Sequence, residues 1–483
     1  MKKIILTSTL VLATIMAFCQ WKDKEYFVEQ DEKVQQKLED WQDLKLGFMV
    51  HWGAYSVEGL CESWPIVSED VDWLTPHDDI KAFRKHYFNL PTKFNPTEFD
   101  PEHWAQLAGD MGAKYFIFTT KHHDGFTMWD TKQTDYKITN PKYPYANSKY
   151  ADITGSLFNA MREKNMMIGA YISKPDWHHP KYWSPSFDSP GRNVNYKIER
   201  HPDWWKSFTD FFYNQVEELM TQYGDVDILW LDGAWATKSN QGQDMRMDEV
   251  GEMCRKHQPG ILVVDRWIGG RWENYRTPEQ HIPSESDMIP WESNMTVNCC
   301  FSYRFVESHE TNVKTSRELT HKLIDVVAKG GNFLLNLGAS PQGWFNQKEI
   351  ESVQRLGEWL KLNGKAIYST RAVAPFTEAN VRYTKAKDNS KVYAIVLLEE
   401  GEQMSKAMLP GCLVAKDAVV KDVATGKTVK FTQQGNSTLV DMPKKKGTAH
   451  YAVAFEISKI EKMAGKQYGK SQAAIDAENR NRK

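Results

Sequence analysis

The feature of this 483-residue sequence that most restricts its fold is the alternation of short apolar segments with longer amphipathic stretches. Most of the short segments are apolar on both faces, as parallel strands covered by helices must be. Seven are recognisable, at residues 47–52, 115–120, 166–173, 226–232, 261–266, 288–291 and 332–337. Helical patterns lie between them, at 101–112, 153–164, 204–223, 249–258 and 315–329. This alternation predicts an α/β fold with a (β/α)8-like, TIM-type barrel over residues 25–368, irregular because no eighth strand is recognisable.

The sequence changes in character after about residue 370. Short β-rich segments follow one another, separated by turn residues such as Thr425-Gly426. They lie at 391–398, 418–421, 429–432, 438–442 and 449–457. We therefore predict a C-terminal antiparallel β-sandwich over residues 371–458. Residues 459–483 are strongly polar and are predicted to form a loose tail.

The N-terminus has the layout of a secretory signal peptide over residues 1–19. Two lysines precede an uncharged, largely apolar run at 4–16, and polar Gln20 follows Cys19. The run is too short for a permanent membrane anchor, so no stable membrane insertion is expected after its removal. Phe18 is a poor neighbour for lipoprotein processing at Cys19, which disfavours a lipid anchor. The prediction is export to the periplasm or the extracellular space.

The charge balance argues against a nucleic-acid partner, and the cysteine spacing argues against a zinc site. The chain has 61 basic and 63 acidic residues, and a net charge of −2 offers no field that would recruit nucleic acid. The oligomeric state is left open by the sequence. An odd number of cysteines follows Cys19, and their spacing matches no zinc motif. We interpret them as small buried apolar residues; they are Cys61, Cys254, Cys299, Cys300 and Cys412.

Aromatic content is the most unusual part of the composition. The chain has 18 tryptophans, 20 tyrosines and 22 phenylalanines. Aromatic faces stack on the C–H faces of sugars, so a carbohydrate ligand is one explanation. Core packing is the other, and most of these rings must serve it.

Polar residues collect where the predicted strands end. In a barrel the active site is built at the carboxyl ends of the strands and in the loops that follow. At those positions the chain has His51, Lys121-His122-His123-Asp124, Tyr171, Asp232, Asp265-Arg266 and Trp291-Glu292. A barrel without a site has no reason to collect histidines, carboxylates and an arginine on one rim.

Asp232 is the most informative single residue. An apolar strand delivers it to the barrel mouth, and Gly233 allows a close turn behind it. Taken alone it would equally suit a turn or a helix N-cap. Glycosidic cleavage requires a second carboxyl group, about 5–5.5 Å away in retaining enzymes. Glu279 and Glu292 are the candidates, and sequence spacing does not give their distance from Asp232.

The pair His122-His123, followed by Asp124, raises the question of a metal site. Imidazole and carboxylate groups are common zinc ligands. Adjacent residues on a strand point to opposite sides, however, so both histidines are not expected to face one ion. We therefore predict no metal.

Six motifs in order resemble the α-L-fucosidases of glycoside hydrolase family 29, over residues 41–457. They are Gly47-Phe48-Met49-Val50-His51-Trp52-Gly53, Lys121-His122-His123-Asp124-Gly125-Phe126, Trp230-Leu231-Asp232-Gly233, Asp265-Arg266-Trp267, Trp291-Glu292 and Gly330-Gly331-Asn332-Phe333-Leu334-Leu335-Asn336. The resemblance implies a barrel followed by a β-sandwich, a covalent fucosyl–enzyme intermediate, and neither metal nor cofactor. The implied substrate is a fucosylated oligosaccharide or glycoconjugate.

The resemblance also implies roles for individual residues. Asp232 matches the nucleophile, and Glu62 and Trp64 resemble a Glu-Trp pair that Ser63 interrupts here. We expect Glu292 to be the acid/base because it would lie at a strand end beside aromatic residues, and Glu279 is the alternative. The residues that match the lining of the fucose pocket are His51, His122, His123, Tyr171, Trp230 and Arg266.

The chain departs from the family pattern at the rim of the barrel. Phe301-Ser302-Tyr303 replaces a Trp-Gly-Tyr motif, and Asn336-Leu337-Gly338-Ala339 replaces Asn-Val-Gly-Pro. Asn294 stands where the family often has cysteine. These changes bear on the preferred leaving group. Two alternatives are open: a related barrel glycosidase for another sugar, such as a galactoside, and a catalytically silent glycan-binding protein.

Overall fold

The computed structural model of the protein describes residues 26–284, 289–305, 312–444 and 450–465. The predicted signal peptide and residues 466–483 of the predicted tail lie outside these ranges. Within them, no helix combines the length and the apolar character that crossing a bilayer requires.

A seven-stranded parallel sheet forms the N-terminal part of the chain. Its strands are β1 (Leu46–His51), β2 (Tyr115–Lys121), β3 (Met167–Ser173), β4 (Ile228–Asp232), β5 (Leu262–Asp265), β6 (Glu292–Thr296) and β7 (Asn332–Gly338). Their order is β5-β4-β3-β2-β1-β7-β6, which leaves β5 and β6 at the two edges. Six strands lie where the sequence predicts them. The sixth was wrongly placed at 288–291, because the polar run from Glu292 to Thr296 hides the strand and Pro290 has no N–H for the ladder.

An irregular segment, residues 273–280, lies between the two edge strands. On one side the N–H of Asn274 donates to the carbonyl of Val263 in β5, at 2.9 Å. On the other side the N–H of Glu292 donates to the carbonyl of Arg276, at 2.8 Å, and Glu279 lies opposite Asn294 in a parallel bridge. The segment therefore occupies the place of an eighth strand, and the predicted irregular barrel is confirmed.

Eight α-helices are formed by the described residues. They are α1 (Glu32–Leu44), α2 (Ile80–Tyr87), α3 (Pro101–Asp110), α4 (Ile153–Glu163), α5 (Pro202–Gln222), α6 (Met247–His257), α7 (Ser316–Ala328) and α8 (Gln347–Asn363). Helix α3 shows how sequence signals mark the beginning and the end of a helix. The Asp100 side chain accepts the N–H of His103 at 3.0 Å, Pro101 is the first helical residue, and Gly112 with a φ of +88° follows the last turn.

Helix α1 closes the amino end of the barrel. Its Trp41 ring stacks on Tyr275 with ring centroids 4.0 Å apart and meets Tyr115, the first residue of β2, edge-on. The Trp41 carbonyl accepts a hydrogen bond from Asn332, the first residue of β7, at 2.7 Å. Because this end is filled, only the carboxyl end of the barrel is available for a site.

The C-terminal part is antiparallel. Its strands are β8 (Thr370–Glu378), β9 (Val381–Ala386), β10 (Val392–Leu397), β11 (Lys406–Leu409), β12 (Cys412–Val414), β13 (Val420–Asp422), β14 (Phe431–Gln434), β15 (Ser437–Asp441), β16 (Ala452–Ile457) and β17 (Ile460–Met463). They form a five-stranded sheet (β13-β16-β10-β9-β8), a three-stranded sheet (β11-β15-β14) and a pair (β12-β17), around a core that includes Val396, Leu409 and Phe455. Strand β17 extends into the segment that the sequence analysis predicted to be a loose tail.

Candidate active site

The register of the sheet places Asp232 at the mouth of the barrel. It is the last residue of β4 and lies opposite Ser173, the last residue of β3. Side chains two residues apart on a strand share a face, so Trp230 and Asp232 point to the same side. Trp230 packs with Tyr171, Tyr275 and Leu334 in the cluster that fills the barrel interior. Asp232 therefore stands directly above this filled interior.

Three hydrogen bonds hold the Asp232 carboxylate, and a histidine ring lies close to it. Tyr171 donates its hydroxyl to Oδ2 at 2.7 Å, and Arg266 donates Nη1–H to Oδ1 at 3.1 Å. The backbone N–H of Gly233 donates to Oδ1 at 2.8 Å, and Nε2 of His123 lies 3.5 Å from Oδ2. The side chain remains 19% exposed, so this fixed carboxylate is still open to the mouth.

The surroundings of Asp232 keep it ionised. Burial raises the pKa of a carboxyl group, but the Arg266 charge and the contacts with His123 and Tyr171 more than offset this effect. The pKa of Asp232 consequently lies well below its usual range. An ionised, oriented carboxylate is the form that attacks an anomeric carbon.

Three neutral imidazoles surround this carboxylate. Burial lowers the pKa of His51 to about 4, and burial likewise lowers the pKa values of His122 and His123. His51 donates Nδ1–H to the Asn336 side chain at 2.7 Å, and Nδ1 of His122 is hydrogen-bonded to Ser63 at 2.5 Å. Because these bonds fix both rings, the Nε2 atoms of His51 and His122 are left as oriented polar groups.

The two adjacent histidines do converge, contrary to the reasoning from strand geometry. Ligand atoms of His122, His123 and Asp232 lie within 4.8 Å of one another. The alternation rule fails because β2 ends at Lys121, so both histidines belong to the turn that follows. Arg266 already provides a cation 3.1 Å from the Asp232 carboxylate, and a metal ion there would be repelled by it.

Arg266 joins Asp232 to a second carboxylate. Its Nη1 faces Asp232 at 3.1 Å, and its Nη2 donates to Oε2 of Glu279 at 2.5 Å. Glu279 comes from the segment that closes the barrel, and its side chain is 33% exposed. Two carboxylates that share one guanidinium at the barrel mouth are therefore both accessible.

Glu292 lies elsewhere. It is the first residue of β6, opposite Asn332, and not the residue after a strand end as the sequence analysis assumed. The side chain is completely buried in the barrel interior. It accepts hydrogen bonds from the Tyr115 hydroxyl at 2.7 Å and from the Trp230 indole at 3.1 Å, and burial raises its pKa to about 7. Glu292 bonds the N–H edge of the Trp230 ring, and the Arg266 guanidinium lies over the face of the same ring at 4.4 Å.

Trp230 was expected to line the pocket, but it lies in the barrel interior below the mouth. The Arg266 guanidinium covers its ring at 4.4 Å, the Tyr171 ring stacks on it at 5.2 Å, and the side chain has no exposed surface. The arrangement makes Trp230 a support for Arg266 and Tyr171. Three partly exposed aromatic side chains lie nearer the mouth. Trp267 and Phe301 appear in the sequence analysis only as members of motifs, and Trp235 was not named there.

The loop after β1 brings three consecutive residues to the site. Glu62 accepts the backbone N–H of Ser302 at 2.6 Å, and burial raises its pKa. Ser63 bonds His122, and the Trp64 ring meets His123 edge-on at 5.4 Å. Ser63, which interrupts the expected Glu-Trp pair, is thus itself a contact residue. No sequence signal marks it apart from its position between them.

The cysteines follow the sequence interpretation only in part. Cys254 and Cys412 are buried, as expected. Cys299 is exposed, and Cys61 and Cys300 are partly exposed. The sulfur atoms of Cys299 and Cys300 lie 3.5 Å apart, and none of these five cysteines forms a disulfide.

A carboxyl-end barrel mouth with an ionised aspartate and a second carboxylate, lined by fixed imidazoles, defines the glycoside hydrolase class of site. The family can be stated as well. The family model for alpha-L-fucosidase matches residues 14–365, and the chain belongs to the α-L-fucosidase family, glycoside hydrolase family 29.

Individual relatives agree with this assignment. The alpha-L-fucosidase of Dictyostelium discoideum is 26% identical over 416 residues, which cover 82% of this chain and 85% of that protein. The human tissue alpha-L-fucosidase is 27% identical, with 74% of each chain covered. The solved structure of alpha-L-fucosidase isoenzyme 1 from Paenibacillus thiaminolyticus superposes with a TM-score of 0.72 at 26% identity, and covers 89% of this chain and 100% of its own.

Proposed function

We propose that the protein is a retaining, exo-acting α-L-fucosidase that removes terminal α-linked L-fucose from glycans through a covalent fucosyl–enzyme intermediate. The observation that carries this proposal is the pair Asp232 and Glu279, which share the Arg266 guanidinium at the mouth of the barrel. Family membership supports the same reaction. The similar fucosidase from Thermotoga maritima, with a TM-score of 0.70 at 26% identity, was solved with a mechanism-based inhibitor.

In the first step Asp232 attacks the anomeric carbon. The bond between this carbon and the glycosidic oxygen breaks, and a proton from the second carboxyl group passes to the departing oxygen. Arg266, Tyr171 and Gly233 hold the attacking carboxylate in one orientation, so little reorganisation is needed during the attack. In the second step a water molecule attacks the intermediate and loses its proton to the second carboxylate, which gave up its own proton in the first step. Fucose is released with its configuration retained, and Asp232 is freed.

We assign the acid/base role to Glu279 in preference to Glu292. Glu279 is accessible at the mouth, whereas Glu292 is completely buried and accepts hydrogen bonds from the Tyr115 hydroxyl and the Trp230 indole. A raised pKa would suit Glu292 for donating a proton, but a general acid must first reach the leaving oxygen. Geometry therefore outweighs pKa in this choice.

Glu279 must exchange its contact with Arg266 for the glycosidic oxygen before it donates a proton. Glu62 provides a reason for a proton to be held nearby. Burial raises the pKa of Glu62, and the neighbouring Glu279 carboxylate adds to this effect. Glu62 therefore keeps its proton to a higher pH than a free glutamate does.

The test of this proposal is the configuration of the first product. We expect the protein to hydrolyse 4-nitrophenyl α-L-fucoside and to release α-L-fucose before mutarotation, observed by proton NMR in the first minutes. The 4-nitrophenyl α-L- and β-D-galactosides serve as matched controls, and we expect them to be much poorer substrates. Initial release of β-L-fucose would contradict double displacement, and preferential turnover of a galactoside would contradict the assigned sugar.

We further propose export, on the basis of the basic start and apolar run that precede residue 20. The mature chain is expected to begin near residue 20 and to carry no lipid. Intact-mass measurement of the protein recovered from periplasm or medium checks both points. A full-length mass would contradict cleavage, and a mass increment equal to acyl chains on Cys19 would contradict the absence of a lipid anchor.

A further inference from the structure

Aromatic rings lead from the nucleophile out to the surface. His123 lies 3.5 Å from Asp232, and the Trp64 ring meets His123 edge-on at 5.4 Å. The Trp73 ring then meets Trp64 edge-on at 6.2 Å. Trp73 is 47% exposed, which is unusual for a tryptophan. The path therefore ends at an exposed indole face that contributes little to core packing.

Arg192 fixes the loops that carry this path. Its guanidinium lies over the Trp64 ring at 5.4 Å and over the Trp235 ring at 5.5 Å. Its Nε donates to Asp70 at 2.8 Å, and its Nη2 donates to the Asp70 carbonyl at 2.6 Å. Since Asp70 follows Trp64 and precedes Trp73, this pair joins the loop after β1 to the loop after β3.

The backbone of Arg192 is held equally firmly. Its carbonyl accepts hydrogen bonds from Trp177 at 3.0 Å, from Tyr182 at 3.0 Å and from Trp235 at 3.2 Å. Three ring donors on one carbonyl place the arginine without relying on its side chain. Arg192 and the rings bonded to it are consequently preformed, and little ordering entropy would be lost there when a ligand binds.

We propose that Trp73, with Trp64 and Arg192 beside it, forms a subsite for the neutral sugar residue to which the fucose is attached. This inference rests on the proposed fucosidase function, because only a glycoside presents a leaving sugar at the mouth. The exposed indole offers an apolar face for the C–H face of that sugar. Arg192 is already paired with Asp70, so its charge is compensated and the subsite favours a neutral sugar over an anionic one.

The position of the subsite agrees with the direction of the leaving group. Glu62, Ser63 and Trp64 are consecutive, and the Glu62 carboxyl lies near enough to Glu279 for their charges to interact. The ring path starts at His123, beside Asp232, at the mouth from which the leaving group must depart. A leaving sugar at this mouth would meet Trp64 first and then Trp73, whose rings lie 6.2 Å apart.

The experiment compares two leaving groups in one variant. In α-L-fucosyl fluoride the leaving group is a single atom, whereas in 2′-fucosyllactose, 3-fucosyllactose and the corresponding fucosylated N-acetyllactosamines it is a neutral oligosaccharide. We expect Trp73→Ala to lower kcat/KM about tenfold for the oligosaccharide that the wild type cleaves fastest. For the fluoride we expect kcat/KM to stay within about twofold of wild type.

Leu362→Ala is the matched control. Leu362 is also large, apolar and exposed, at 57%, but it lies in the last turn of α8, at the opposite end of the barrel. We expect this variant to be unchanged on both substrates, and the thermal midpoints of both variants to equal that of the wild type.

Equal losses on fluoride and oligosaccharide, no loss on either, or a wild type that cleaves the fluoride but none of the oligosaccharides would each overturn the subsite. A wild type that releases no fluoride would overturn the fucosidase function itself, and the two failures are thereby distinguished.

Discussion

Asp232→Ala is expected to lower kcat on 4-nitrophenyl α-L-fucoside by on the order of 10⁴-fold or more, because the covalent intermediate can no longer form. The loss should exceed that of any other single replacement in the pocket. Asp232 is the one carboxylate that Tyr171, Arg266 and the Gly233 N–H orient together. Removing it also leaves the buried Arg266 with only Glu279 as an anionic partner, so some loss of stability is expected.

Rescue by azide distinguishes loss of the nucleophile from loss of the folded structure as the cause of inactivity. A small anion enters the space that the alanine leaves and attacks the same face of the sugar as Asp232 would. We expect the Asp232→Ala variant to regain turnover in azide and to form β-L-fucosyl azide, identified by NMR. Asp232→Asn, which preserves volume, should remain inactive and should lose less thermal stability than Asp232→Ala, because its amide oxygen can still accept hydrogen bonds. Substantial turnover by Asp232→Asn without azide would remove Asp232 from the nucleophile role.

Replacing Glu279 is expected to lower catalysis, whereas replacing Glu292 is expected to change mainly stability. Glu279→Ala should lower kcat/KM on an oligosaccharide by about 10²–10⁴-fold, because an alkoxide leaving group needs a proton. On α-L-fucosyl fluoride, whose leaving group needs no such help, the first step should be nearly unaffected. Azide should accelerate the second step of this variant and yield α-L-fucosyl azide, whose configuration is the reverse of the Asp232→Ala product.

Glu292→Gln is expected to retain most of the activity and to change the pH dependence of stability. Burial raises the pKa of Glu292 from its ordinary 4.5 to about 7, so the folded chain holds a proton that the unfolded chain releases. Between these values the free energy of unfolding falls as pH rises, by at most about 1.4 kcal/mol per pH unit. Glutamine does not titrate, so the variant should show a flatter profile in urea unfolding between pH 5 and 7.5.

The opposite result would return the acid/base role to Glu292. It would consist of a Glu292→Gln variant that folds normally, loses kcat/KM on the oligosaccharide and keeps its activity on the fluoride. Glu292→Ala is the less informative variant, because it leaves the buried Tyr115 hydroxyl and Trp230 indole N–H without their acceptor. A loss of activity there would not distinguish chemistry from unfolding.

The sequence by itself determined the class of fold and most of the strand positions. Parallel strands buried on both faces must be apolar, and their spacing by amphipathic helices leaves few architectures. The strand 228–232 could therefore be recognised, and Asp232 could be placed at its carboxyl end. The same logic located His51, His122 and Arg266 at the rim. In each case the signal is local: a run of apolar residues followed by a polar one.

Only the tertiary structure decided which distant residues meet at Asp232. The eighth position of the barrel is filled by residues 273–280, which form backbone hydrogen bonds to β5 and β6. Their sequence has no apolar pattern that would predict a strand. Glu279 reaches the mouth and Glu292 the interior because of the register between that segment and β6, which pairs Glu279 with Asn294. Strand register depends on contacts between segments far apart in the chain, and periodicity along one segment does not encode it. For the same reason the convergence of His122 and His123 became visible only once β2 was seen to end before them.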